Sequence, residues 1–125
     1  MPSTGYSTSA APTPAGPYSQ GVRRGDVLAL AGQAGFDPAT GQLVDGVAAQ
    51  TRQALSNLGA VLREAGASFA DVVMMRVYLT DPEHFAVMNQ VYSEFVTEPF
   101  PGRTTVYVGL PAGMLVEIDG LAVVE

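Results

Sequence analysis

From Val27 to Ala31 the chain runs apolar for five residues, after the turn Arg24-Gly25-Asp26 and a mixed stretch over 19–24. That pattern reads as a hairpin, with strands over 19–24 and 27–33, whose second strand is buried. Gly35 to Gly46, containing Asp37-Pro38 and Thr40-Gly41, is turn and loop without a period. From Val47 the spacing changes. Val47, Ala48, Thr51, Ala54, Leu55, Leu58, Val61, Leu62 and Ala65 recur at helical intervals, with Arg52, Gln53, Ser56, Arg63 and Glu64 mainly on the other face. Asp45 is the expected N-cap of this helix and Gly66 its expected stop.

Alternation returns over Asp71 to Thr80, with Val73, Met75, Val77 and Leu79 on one side and Met74, Arg76 and Tyr78 on the other. The segment is largely apolar on both sides, as a central strand is. Asp81-Pro82 opens a second helix as N-cap and first helical residue. Phe85, Met88, Val91, Tyr92 and Phe95 supply its apolar face, and Pro99 and Pro101 end it. Strands over 103–109 and 114–124 close the chain. The order β-β-α-β-α-β-β predicts an α+β fold, a β-sheet with two helices packed on one face. In the last strand Val116, Ile118, Gly120, Ala122 and Val124 make one face, and Glu117, Asp119, Leu121 and Val123 the other. Apolar residues on the sheet face that the helices leave open predict a homo-oligomer.

Composition narrows the chemistry. A length of 125 residues suits one domain, expected over 16–125 behind a flexible segment rich in Ser, Thr, Ala and Pro over 1–15. That segment has no basic residue and no apolar run of the signal-peptide kind, so a cytoplasmic protein is expected. No stretch approaches a membrane span. Twelve acidic residues face six arginines and no lysine, a net charge of −6, which disfavours nucleic acid as a partner. Without cysteine there is no disulfide, thiol nucleophile or thiolate metal site. His84 alone supplies imidazole, too little for a His-based metal site or a Ser-His-Asp triad. The methionines are read as packing residues. Carboxylates, guanidiniums, hydroxyls and backbone remain.

Arg103 follows the turn Pro99-Phe100-Pro101-Gly102 and shares a strand face with Thr105 and Tyr107. Glu117 shares one with Asp119. If these two strands are antiparallel neighbours, both side chains reach one cleft. There a guanidinium grips a substrate carboxylate bidentately and a carboxylate orients or deprotonates a water. The plainer alternative is an Arg–Glu salt bridge at a subunit interface. Tyr18, in Gly16-Pro17-Tyr18-Ser19-Gln20, is either an aromatic lid or an edge-strand tyrosine. Ala31-Gly32-Gln33-Ala34-Gly35 lets backbone approach a ligand closely, without the spacing of a phosphate loop. Asn89 is a local hydrogen-bonding residue or a functional one, and His84 is expected to be exposed.

Taken together, Gly16-Pro17-Tyr18-Ser19-Gln20-Gly21, Ala31-Gly32-Gln33, the stretch Val47 to Asn57, Arg76-Val77-Tyr78-Leu79-Thr80-Asp81, Phe85 to Phe95 around Met88-Asn89, Pro101-Gly102-Arg103 and Val116-Glu117-Ile118 resemble the Rid (YjgF-type, reactive intermediate deaminase) family in order over nearly all of 15–124. The resemblance implies a chorismate-mutase-like mixed sheet backed by two helices, assembled as a homotrimer with clefts between subunits. It implies hydrolysis of 2-imino acids or their enamine tautomers to 2-keto acids and ammonia, without a cofactor or a metal. The family's carboxylate-binding arginine falls on Arg103, its water-positioning glutamate on Glu117 (across a one-residue gap), its cleft tyrosine on Tyr18 and its interface asparagine on Asn89. Gly32 backbone lines the pocket. Ala31 stands where many members have serine and Thr105 where they often have cysteine, both at substrate-contacting positions. Gly102 and Thr104 also depart from the pattern. These changes bear on substrate choice and keep three readings in play: a 2-imino acid deaminase, a deaminase of a specialised enamine, and a non-enzymatic module that binds small carboxylates.

Overall fold

A computed structural model describes residues 2–125 of the chain. Its elements are β1 (Thr4–Tyr6), β2 (Gly21–Arg24), β3 (Val27–Ala34), α1 (Val47–Glu64), β4 (Val72–Leu79), α2 (Phe85–Tyr92), β5 (Gly102–Tyr107) and β6 (Val116–Val123). The strands form one sheet in the order β1-β2-β3-β6-β4-β5. All neighbours are antiparallel except β4 and β5, which run parallel. A parallel pair needs a crossover, and α2 supplies it. The last strand then inserts between β3 and β4. The strands carrying Arg103 and Glu117 are therefore not the antiparallel neighbours that the sequence order suggested, because β4 separates them.

Helix α1 packs on β3, β6 and α2, which puts both helices on one face of the sheet. The core lies between these layers and includes Leu28, Leu55, Leu58, Leu62, Met75, Leu79 and Ile118, all fully buried. Each such side chain contributes about 1.5–3 kcal/mol by leaving water. The α1 start differs from expectation. Gly46, not Asp45, is the N-cap, with φ 86°, a left-handed conformation that glycine adopts without strain. The end is as predicted. Gly66 at φ 75° donates to Arg63 O at 3.0 Å while Ala67 donates to Leu62 O at 2.8 Å, the double bond of a Schellman stop. Asp81 accepts from Glu83 N at 2.9 Å, but it caps a 3-10 turn, Pro82–His84, that leads into α2.

Two bulges reset the alternation. The β4–β6 register slips between Val72 and Met74, so Val72 and Met75 both face the core and Val73 is 52% exposed. The expected face shared by Val73 and Met75 is broken there. The β3–β6 register slips between Leu30 and Gln33, which sends those two inward and leaves Ala31 and Gly32 to the outer face. Strand β6 keeps the predicted alternation, with Leu121 and Val123 exposed on the outer face.

The N-terminal segment also differs from expectation. Met1 lies outside the described residues, but β1 pairs with β2 and Ala11 is buried. The buried Gln20 amide ties the segment down. Its Nε2 donates to the carbonyls of Thr8, Ala11 and Pro12, and its Oε1 accepts from Thr8 N at 2.7 Å. Serine, threonine and proline suggested a flexible lead-in over 1–15. The β1–β2 pairing over Thr4–Tyr6 and the bonds of one glutamine to the backbone of Thr8, Ala11 and Pro12 give it a defined path instead. Among the described residues no helix is long and apolar enough to cross a membrane.

Candidate active site in two halves

Glu117 points away from the helices, paired across the sheet with Ala34 on β3 and Tyr78 on β4. The β3 bulge brings Gly32 beneath it. A Cβ on Gly32 would stand 2.8 Å from Glu117 Oε2, so the missing side chain is what lets the carboxylate lie across β3. Tyr18, Gln20, Gly32, Pro111, Met114 and Glu117 are among the residues lining an open cleft of about 600 Å³. Tyr18 is half exposed at its rim, its hydroxyl accepting from Ala15 N at 3.2 Å. Ala31 adjoins Gly32, but it donates its N–H to Gln20 O and does not line the cleft.

Burial, and secondarily the nearby Asp119 carboxylate, hold the Glu117 carboxyl above the usual carboxylate range. A carboxyl whose folded pKa is raised favours folding fully at pH below its unfolded pKa, about 4.3. That contribution is lost as pH rises through the higher folded value. Glu117→Gln is therefore expected to melt with wild type at pH 4 and above it at pH 7. Thermal unfolding across that range checks this, and a constant offset at all pH values would count against it.

Arg103 lies on edge strand β5, in register with the core-facing Met75, so its side chain is on the helix side. Its guanidinium carbon stands 4.7 Å from the Tyr92 ring centroid and 5.7 Å from that of Phe85, both presented by α2. Asn89, Tyr92, Ser93, Val96, Phe100, Pro101 and Arg103 line a second cleft of about 450 Å³. Among the described residues the ion pairs are Arg52–Glu94 at 3.0 Å and Arg76–Asp119 at 2.7 Å, so no carboxylate of the chain neutralises Arg103. Thr105 shares the Arg103 face. Among the described residues its hydroxyl and that of Tyr92 are buried without a hydrogen-bond partner, which is uncommon for buried polar atoms. Burial raises the Tyr92 hydroxyl pKa, and Arg103 partly offsets this. His84, expected to be exposed, is partly covered, with a buried and unpartnered Nδ1.

The predicted residues thus fall into two groups, Tyr18, Gly32 and Glu117 on the outer face and Asn89, Arg103 and Thr105 on the helix side. Within one chain Arg103 and Glu117 do not share a cleft, and they form no salt bridge. Sequence reasoning missed the aromatic cage around Arg103. Its signal was present, since Phe85, Asn89 and Tyr92 stand at i, i+4 and i+7 and so share a helix face. Among the described residues no three His, Asp or Glu side chains cluster to hold a metal ion.

The family model described as Endoribonuclease L-PSP matches residues 8–124. A RutC family protein of Pyrococcus horikoshii is 47% identical, with 94% of this chain and 95% of that protein covered. The 2-iminobutanoate/2-iminopropanoate deaminase of Bos taurus is 44% identical over 94% of this chain and 87% of its own. Among solved structures, RidA from an Antarctic Psychrobacter superposes with a TM-score of 0.94 at 41% identity, over 97% of this chain and 99% of that one.

Proposed function

The chain belongs to the Rid family, whose model is described as Endoribonuclease L-PSP, and on that basis we propose that it hydrolyses 2-imino acids, or their enamine tautomers, to 2-keto acids and ammonia. The observation that carries this reading is its 44% identity, over nearly the whole chain, to a protein named for deamination of 2-iminobutanoate and 2-iminopropanoate. The site chemistry agrees. Among the described residues Arg103 has no carboxylate partner, and it is walled by two aromatic rings, which suits a small organic anion. Glu117 is a partly buried carboxyl on an open cleft, placed to hold a water and move a proton. The C=N carbon of an imine is already electrophilic, so orientation supplies most of the benefit.

The two halves need to meet, and assembly is how we propose they do so. Val73, Leu121 and Val123 are exposed apolar residues on the outer sheet face, and Phe100, Val106 and Tyr107 are exposed on or beside β5. Exposed apolar surface of this kind is what subunit interfaces cover. In a homotrimer, the β5 edge of one subunit sets its Arg103 half beside the Glu117 half of the next. Arg103 then holds the substrate carboxylate, Glu117 serves the water and the nitrogen, and Asn89, Thr105 and Tyr18 bound the rest.

The ribonuclease activity in the family's description is disfavoured by charge. The chain carries −6, and Arg52 and Arg76 are already paired with acids. The test is a coupled assay in which an amino-acid oxidase makes 2-imino acids in situ and semicarbazide traps the survivors. The protein is expected to reduce trapping. Undiminished trapping with every amino acid would overturn the reading and leave a specialised enamine or simple carboxylate binding.

A further inference from the structure

Beside Glu117 on the outer face lies a second arrangement of charged and polar groups. Asp119 is two residues along β6 on the same face. Arg76 Nε donates to its Oδ1 at 2.7 Å and Tyr78 Oη donates to its Oδ2 at 2.9 Å, so both carboxylate oxygens are held. The register makes this a square. Arg76 stands opposite Asp119 and Tyr78 opposite Glu117, and the Tyr78 hydroxyl reaches along the diagonal. The Asp119 side chain is only 15% exposed, whereas that of Arg76 is 55% exposed. An ion pair with so exposed a partner adds little to stability. Two directional bonds nevertheless fix where the Asp119 charge sits, which is next to Glu117. No basic side chain is among the other groups lining the cleft beside Glu117. Gly32 offers only backbone from β3, and Tyr18 and Asp37 are the other titratable groups on the cleft.

We infer that Asp119, held by Arg76 and Tyr78, is a positioning residue that adds to burial in making Glu117 the proton-holding group of the site, so that Glu117 enters the reaction as an acid. This rests on the imine-hydrolysis reading above. The protonated carboxyl gives its proton to the imine nitrogen. Water oxygen then bonds to the C=N carbon as the π pair moves to nitrogen, and the surplus water proton returns to the Glu117 carboxylate. In the second half Glu117 protonates the amino group and the C–N bond breaks. Ammonia leaves, and the hydroxyl proton passes back to Glu117 as the keto group forms. Each half begins and ends with a protonated Glu117, so no other acid or base is consumed. The upward displacement of the Glu117 carboxyl by burial and by Asp119 agrees with this.

The test is direct titration of Glu117 in the intact protein by carbon-13 NMR of its side-chain carboxyl, assigned by the loss of that signal in Glu117→Gln. Asp119→Asn removes the fixed charge and is expected to move the titration midpoint to lower pH. Arg76→Gln leaves the charge less compensated and is expected to move it to higher pH. The pH profile of imine turnover should shift in the same two directions. Any other pattern of midpoints overturns the inference, since a purely structural role would not move one group's titration in opposite senses. Failure of the underlying reading shows separately. Glu117→Gln is expected to lose on the order of 10²–10⁴-fold in turnover, and full activity in that variant would remove Glu117 from the chemistry whatever the midpoints do.

Discussion

Arg103→Ala is expected to lower kcat/KM on a 2-imino acid by roughly 30-fold to several thousandfold, with the fold intact. The range follows from the 2–5 kcal/mol cost of deleting one partner of a desolvated charge pair, at about 1.4 kcal/mol per factor of ten. The large end is favoured by the surroundings. The guanidinium stands over the Tyr92 and Phe85 rings and makes no ion pair among the described residues, so a bound carboxylate would be its counterion. Folding should tolerate the change because the side chain is on an edge strand and makes no ion pair among the described residues. Arg103→Lys keeps the charge but loses the planar fork and its stacking, and is expected to fall between the two. A carboxylate held equally in ground and transition states shows its loss mainly in KM, whereas one that also orients the C=N carbon shows it in kcat. The oxidase-coupled assay separates these, with circular dichroism melting as the control for folding. Wild-type rates in Arg103→Ala would take the residue out of the site.

The parts of this molecule legible in its sequence are those governed by local rules. The α1 face, the Gly66 stop and the β6 alternation follow from spacing and backbone preference, and each is found in place. The failures share one cause, which is that the deciding contact lies far away in sequence. A period-two reading of β4 assigns Val73 inward because it has no way to register the bulge against β6. The same kind of slip in β3 carries Gly32 under Glu117. Chain order makes the last two strands look like a hairpin, yet β6 prefers the central slot, where Val116, Ile118 and Ala122 are fully buried. Gln20 looks like an ordinary loop residue until its amide is seen to satisfy four backbone groups of the preceding segment. Candidate site residues were legible as types, because a charged residue among apolar ones stands out. Their division between two faces of one sheet was not, since face depends on register and strand order together.

That division supports a second large effect. If each active site takes Arg103 from one subunit and Glu117 from its neighbour, two impaired variants should restore one another. In the proposed trimer, Arg103→Ala and Glu117→Gln are each expected to keep only the small residual activity given above, because every site lacks one group. Unfolded together in equal amounts and refolded, they are expected to form mixed trimers. A site is complete only when its arginine comes from the Glu117→Gln chain and its glutamate from the Arg103→Ala chain. Random mixing in a closed ring gives that arrangement in about one site in four, so about a quarter of wild-type activity should return. Sites built within single chains would give none, since no chain in the mixture carries both groups. Mixing without unfolding should recover activity only as fast as subunits exchange, which ties recovery to assembly. Absence of recovery in a mixture shown by mass spectrometry to contain hybrid trimers would overturn the shared site, and with it the role of the outer sheet face as the surface that completes it.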